Sequence, residues 1–295
     1  MRGWFFVAGL AGVAGPAGAQ APPATDIYLV PIKTQGAKLI VGAPKNLTHR
    51  KGFDNQPSFS PNGKSLFYTA IHGGGPKGTD QSDIFRVDLA TGQTVAVTAT
   101  PESEYSATVI PGTSDIAVIR VEADSTQRLW AFPLKGGAPR LLFDRIKPVG
   151  YQAWLSPTTV GLFVLGSPST LRLANLTTGE SRVALSDIGR ALQPSRGSKA
   201  LSVTHRMAEK EWWVVDIDPA TLARTPIAKL PAGADFFVWL PDGSLLTAAG
   251  KDLFRRTGDG DWTVVATLAV PGSISRLALS RRGDWLALVA DDGAP

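Results

Sequence analysis

Short apolar runs alternate with polar residues along this chain, and Pro, Gly, Asn and Asp break them at close intervals. That pattern predicts many short strands joined by turns rather than helices. The clearest unit is Asn55-Gln-Pro-Ser-Phe-Ser-Pro-Asn-Gly-Lys-Ser-Leu-Phe-Tyr68. It reads as a strand, a tight turn and a second strand, with Asn62-Gly63 predicted to supply the positive φ angles of a two-residue hairpin turn. The nearest approach to a helix, residues 184–191, is short and contains Gly189, so strand ends and a loop are expected there.

Weaker copies of the hairpin recur. Their turns fall at Pro61-Asn-Gly63, Pro111-Gly-Thr113, Ser156-Pro-Thr158, Pro194-Ser-Arg-Gly197, Pro241-Asp-Gly243 and Ser280-Arg-Arg-Gly-Asp284. The intervals are 50, 46, 37, 47 and 40 residues, around the length of one four-stranded propeller blade, roughly 40–50 residues. Between successive hairpins lies an outer strand pair. The first of these joins residues 83–89 to 94–98, and the others fall within 127–143, 170–185, 212–227 and 252–268. One outer pair, residues 26–32 and 39–41, has no hairpin before it; the last hairpin, residues 276–290, has no outer pair after it. Each supplies what the other lacks. The expectation is an all-β, six-bladed propeller of four-stranded antiparallel blades, its last blade closed by N- and C-terminal strands, which removes the open edge of a linear array. A two-sheet sandwich, the alternative, would not require the repeat.

Composition adds limits. The chain has 295 residues, 43% of them hydrophobic and only 19% charged, with 31 Gly and 22 Pro. Its +5 charge comes from scattered Lys and Arg without a basic run, so nucleic acid is not an expected partner. Arg2, the apolar stretch 4–13 and Ala17-Gly18-Ala19 have the form of a cleavable secretory leader over residues 1–19. The stretch is too short to span a bilayer, and the absence of cysteine excludes disulfides and a lipid-modified cysteine anchor. The expected organisation is a signal peptide over 1–19, a flexible lead-in over 20–25 and one propeller domain over 26–295. A periplasmic or secreted monomer follows from that reading.

Pro57-Ser-Phe-Ser-Pro-Asn-Gly-Lys-Ser-Leu66 resembles the repeat of the TolB-like, WD40-like (PD40-type) propellers, Pro-x-Phe/Trp-Ser-Pro-Asp-Gly-Lys-x-Leu, with Asn62 in place of Asp. Trp239-Leu-Pro-Asp-Gly243 is a second match. The resemblance covers the mature chain by period and two repeats by motif. It implies an exported propeller that binds something at its mouth. No counterpart of TolB's additional α/β domain is expected, since the first strand is expected almost directly after the leader.

In a propeller, the starts of the innermost strands and the ends of the next strands open onto one face. Loops on a rigid scaffold carry function there. That rule selects Asn55, Tyr105, Tyr151, Arg190 and Arg276 at strand starts, and His72, Glu122 and His205 at hairpin ends, as ligand- or partner-binding candidates. Arg190, Arg206 and Arg276 beside Tyr105 and Tyr151 suit an anionic or carbohydrate ligand. No cofactor is expected; were a divalent metal held, His72, His205 and Glu122 are the only combination offered. No catalytic residue is assigned: there is no cysteine nucleophile and no G-x-S-x-G elbow. The glycine-rich 72–79 lacks the order of a phosphate loop and reads as a loop over the mouth, and Trp212-Trp213 reads as blade packing. The sequence therefore favours a non-enzymatic platform for an envelope protein or small ligand. The alternative is a metal- or His-dependent lyase or hydrolase acting on a carbohydrate.

Overall fold

A computed structural model describes residues 22–73, 80–196 and 198–292. All its regular elements are strands. The chain enters through β1 (Thr25–Gln35), β2 (Lys38–Val41) and β3 (Lys45–Asn46). The first complete blade follows: β4 (Asp54–Phe59), β5 (Ser65–Gly73), β6 (Asp80–Asp88) and β7 (Thr94–Ala96). The second is β8 (Ser103–Val109), β9 (Asp115–Val121), β10 (Gln127–Pro133) and β11 (Arg140–Leu141). The third is β12 (Val149–Trp154), β13 (Thr159–Val164), β14 (Thr170–Asn175) and β15 (Ser181–Ser186). The fourth is β16 (Ile188–Pro194), β17 (Leu201–Ala208), β18 (Glu211–Ile217) and β19 (Arg224–Lys229). The fifth is β20 (Phe237–Trp239), β21 (Leu245–Ala249), β22 (Asp252–Arg256) and β23 (Thr263–Thr267).

The sixth blade combines both ends of the chain. Its order is β2, β1, then β25 (Trp285–Asp291) and β24 (Ile274–Leu279). β1 pairs antiparallel with β25 from Thr25↔Asp291 to Pro31↔Trp285. The predicted stitching is therefore present. The fourth strand is split, because β2 pairs residues 32–35 of β1 while β3 pairs Tyr28 and Leu29 further along it.

Each blade is apolar on both faces, and neighbouring blades share an apolar layer. In β5, Leu66 and Tyr68 face the sixth blade beside Ile27 and Val289, while Phe67 faces the second beside Ile116 and Val118. This is the period-2 alternation of a strand buried on both sides. Six layers arranged this way, one per blade interface, hold the ring together. The first strands of successive blades lie against one another around the axis.

The opening hairpin differs from expectation in its turn. Gly63 has φ +70°, but Asn62 is not among the positive-φ residues. The Gly63 N–H donates to Ser60 O at 2.9 Å, and Ser60 N–H to Ser65 O at 2.9 Å. This is a type I turn followed by one left-handed glycine, a longer loop than the two-residue turn. Asn62 serves through its side chain instead, accepting from the Lys64 N–H at 3.0 Å and the Ser60 hydroxyl at 2.8 Å.

The hairpin turns pack onto their neighbours on one face of the ring. Gly283 has φ +73°, and a Cβ there would stand 2.3 Å from Pro241 Cγ in the fifth blade's turn. Gly283→Ala is expected to cost about 2 kcal/mol, from left-handed strain and displacement of Pro241. Thermal melting checks it; an unchanged midpoint would contradict this packing.

Candidate functional site

The inner strands are irregular where they start. β12 shifts register between Val149 and Tyr151, β16 between Ile188 and Leu192, and β24 between Ile274 and Arg276. Such bulges leave residues outside the ladder and re-aim side chains. Arg190 lies within its bulge, and Tyr151 and Arg276 are the first paired residues after Gly150 and Ser275, all at the mouth where inner strands begin.

They meet there. β12 and β24 belong to the third and sixth blades, on opposite sides of the ring, yet Arg276 Nη2 donates to the Tyr151 hydroxyl at 3.3 Å. The two side chains therefore reach across the channel. The Arg276 guanidinium carbon lies 5.0 Å from the Tyr151 ring centre and 4.4 Å from that of Phe236, just ahead of β20. Arg190 approaches the same Phe236 ring at 5.9 Å, and its Nη2 is 3.9 Å from Asp235 Oδ2. Phe163 meets Tyr151 edge-on at 5.6 Å and fixes its ring. Asp235, Phe236, Ser275 and Arg276 line a small cleft beside the cluster.

The electrostatics follow from this crowding. Burial pushes the Tyr151 phenol up, but the charges and hydrogen bonds of Arg276 and Arg190 outweigh it and hold the phenol below its ordinary value. Arg276 is lowered, first by burial; the Tyr151 charge opposes this and the Arg190 charge adds to it. The mouth is a cationic, aromatic site.

No family model matches the chain, and no curated protein matches it in sequence. Solved structures do. A TolB of Agrobacterium tumefaciens aligns with a TM-score of 0.68 at 14% identity, over 92% of this chain and 99% of that one. A gluconolactonase of Xanthomonas campestris gives 0.64 at 13% identity, over 92% and 99%. A chain of the nidogen/laminin complex gives 0.61 at 12% identity, over 91% and 99%. The fold is that of a TolB-like propeller. At these identities the likeness is one of fold, and the neighbours include both a chain from a protein complex and an enzyme.

The other residues selected from sequence lie elsewhere in this TolB-like propeller. His72 Nε2 is 2.7 Å from Asp83 Oδ2, and its ring sits edge-on to Phe85 within the first blade. Glu122 accepts from Arg128 Nε at 2.7 Å and Trp130 Nε1 at 2.8 Å, and the bond from Arg128 leads in holding its carboxyl below the usual range. His205 Nδ1 lies 3.3 Å from Asp187 O, and Arg206 is clasped by the Asp187 carboxylate. Tyr105 packs on the layer between the second and third blades, and Asn55 is buried, accepting from Gln56 N–H at 2.8 Å. His72 and Glu122 thus each have a partner within their own blade, and His205 has one in the link entering its blade. Among the described residues no group of three or more His, Asp or Glu is placed to hold a metal ion. Residues 74–79 of the glycine-rich stretch lie outside the described residues, as does the 1–19 leader.

The strand-start rule also puts Asp235 and Phe236 on this face, but they were not among the selected site residues. Sequence reasoning also missed a buried acidic seam between the first two blades. There Glu104 is fully buried, accepts from the Thr100 hydroxyl at 2.5 Å, and lies 3.5 Å from Arg120 Nε. Arg120 also bonds Glu102. Burial, supported by the Asp83 charge, pushes Glu104 up to about 7.

Proposed function

We propose that this protein is an exported propeller acting as a binding platform, for a protein partner or a small ligand, at the mouth bearing Arg276. One observation carries the reading. Four blades send Tyr151, Arg190, Phe236 and Arg276 to a single point across the channel. What converges is a set of hydrogen-bond donors and aromatic faces, the chemistry of recognition. Export is supported by the leader of residues 1–19, and among the described residues no helix is long and apolar enough to cross a membrane.

A test follows. The mature protein, immobilised, is expected to retain a specific component of an envelope extract, with retention falling at least about tenfold in the Arg190→Ala variant. Equal retention by the variant would place binding elsewhere. A second reading, a propeller enzyme acting on a carbohydrate, rests on Tyr151. A phenol lowered by two arginines has the setting of a general base. Turnover of a sugar lactone or uronate that Tyr151→Phe abolishes would favour that reading over the platform.

A further inference from the structure

The two arginines at the mouth carry more charge than their surroundings neutralise. Among the described residues Arg276 has no carboxylate partner: its hydrogen bond goes to Tyr151, and the charges acting on it are those of Tyr151 and Arg190. Arg190 has one carboxylate, Asp235, 3.9 Å away on a side chain that is 63% exposed. Two guanidinium groups face one loosely held carboxylate and one phenol, a local excess of one positive charge while Tyr151 keeps its proton. A half-buried cation without a counter-ion is partly desolvated and gains from an anionic partner. Four other arginines of the ring, Arg50, Arg120, Arg128 and Arg255, each meet a carboxylate.

The aromatic rings sharpen what is missing. With Tyr151 and Phe236 close to its guanidinium carbon, Arg276 has spent one of its five N–H donors on Tyr151. The remaining donors form a planar fork that matches a carboxylate bidentately. The single excess charge matches a monoanion better than a phosphate dianion.

We infer that the mouth binds a monoanionic carboxylate, its oxygens accepting from Arg276 and Arg190 and its carbon framework resting on Phe236 and Tyr151. This inference rests on the channel-mouth reading above and assigns its ligand class. The carboxylate has two possible sources, a small organic acid or the C-terminus of a polypeptide.

Thermal shift and calorimetric titration with sodium benzoate test it, against sodium chloride at equal ionic strength. Benzoate is expected to give a saturable rise in Tm, about 5 °C at a hundredfold excess over Kd. Sodium phosphate at the same concentration gives a smaller rise. Arg276→Gln weakens benzoate binding by at least about tenfold, and its ligand-free Tm is no lower than that of the native protein. A short peptide ending in phenylalanine, with a free or an amidated C-terminus, separates the sources. Preference for the free-acid peptide over benzoate assigns a chain terminus, and the reverse a small acid. No rise beyond chloride, an equal rise in Arg276→Gln, or a lowered ligand-free Tm in that variant would overturn the inference. The last result would make Arg276 a structural plug. Retention of an extract component that depends on Arg190, together with failure of every carboxylate probe, removes the ligand class and leaves the platform.

Discussion

A chain beginning at Lys45 is expected to lose cooperative folding altogether, whereas one beginning at Gln20 folds normally. The shortened chain lacks β1 and β2, hence the outer half of the sixth blade. Ile27, Tyr28, Leu29, Val30 and Ile32 are each at most 7% exposed, so their burial is lost with the strand. At roughly 1.5–3 kcal/mol per large apolar side chain, this loss is on the order of 10 kcal/mol, comparable to the whole stability of a typical domain. The exposed β25 would then offer an unpaired apolar edge from Trp285 to Asp291, a template for association. Circular dichroism melting and gel filtration check this: no cooperative transition and soluble aggregates are expected. A melt matching that of the longer chain would refute closure through the terminal strands.

The second large effect is a pH dependence with an unusual sign. Glu104 is pushed from its ordinary 4.5 to about 7, and Asp54 from 3.8 to about 6, each chiefly by burial. For Asp54 the desolvation outweighs the Arg50 contact at 2.6 Å. A carboxyl whose folded-state pKa is raised favours the folded state while protonated. Its contribution is complete below the unfolded value, about pH 4, and is lost as pH rises through 6 to 7. At 1.36 kcal/mol for each pH step, either group withdraws about 3 kcal/mol by pH 8. The protein should therefore melt higher at pH 5 than at pH 8. Glu104→Gln should raise the pH 8 midpoint by about 6 °C and flatten the dependence. Stability that is flat or rises from pH 5 to 8, or a Glu104→Gln protein less stable at pH 8, would contradict the placement of Glu104.

The ring was legible in the sequence because its cause is local. Pro, Asn, Asp and Gly punctuate apolar strands at a blade-length interval, and the unmatched pair at residues 26–41 could be completed only by the final hairpin. The split fourth strand was less visible, since β3 contributes just Lys45 and Asn46. The Asn62-Gly63 dipeptide fits either hairpin turn, and the hydrogen bonds of Ser60 decide between them.

The site was legible by face and not by radius. Counting along the strands put Tyr151, Arg190 and Arg276 on one face with His72, Glu122 and His205. Whether a side chain reaches the axis depends on inner-strand bulges, as at Gly150 and Ser275, which the hydrophobic pattern does not encode. His72, His205 and Glu122 lie on second strands or just beyond them, and each finds a partner in its own blade or the link entering it: Asp83, Asp187 or Arg128. Glu104 falls on the same face by the strand-start rule, but its burial was not legible. A glutamate at a strand start reads as solvated, and only the packing of two blades buries it.

The central claim is that recognition occurs where Arg276 crosses the channel to Tyr151. Crystals grown in chloride and soaked with benzoate test it most directly. The account predicts density for the carboxylate against the guanidinium edges of Arg276 and Arg190, with the ring on Phe236. Benzoate bound on the turn face or the outer rim, with Arg276 instead paired to a carboxylate of its own chain, would contradict it.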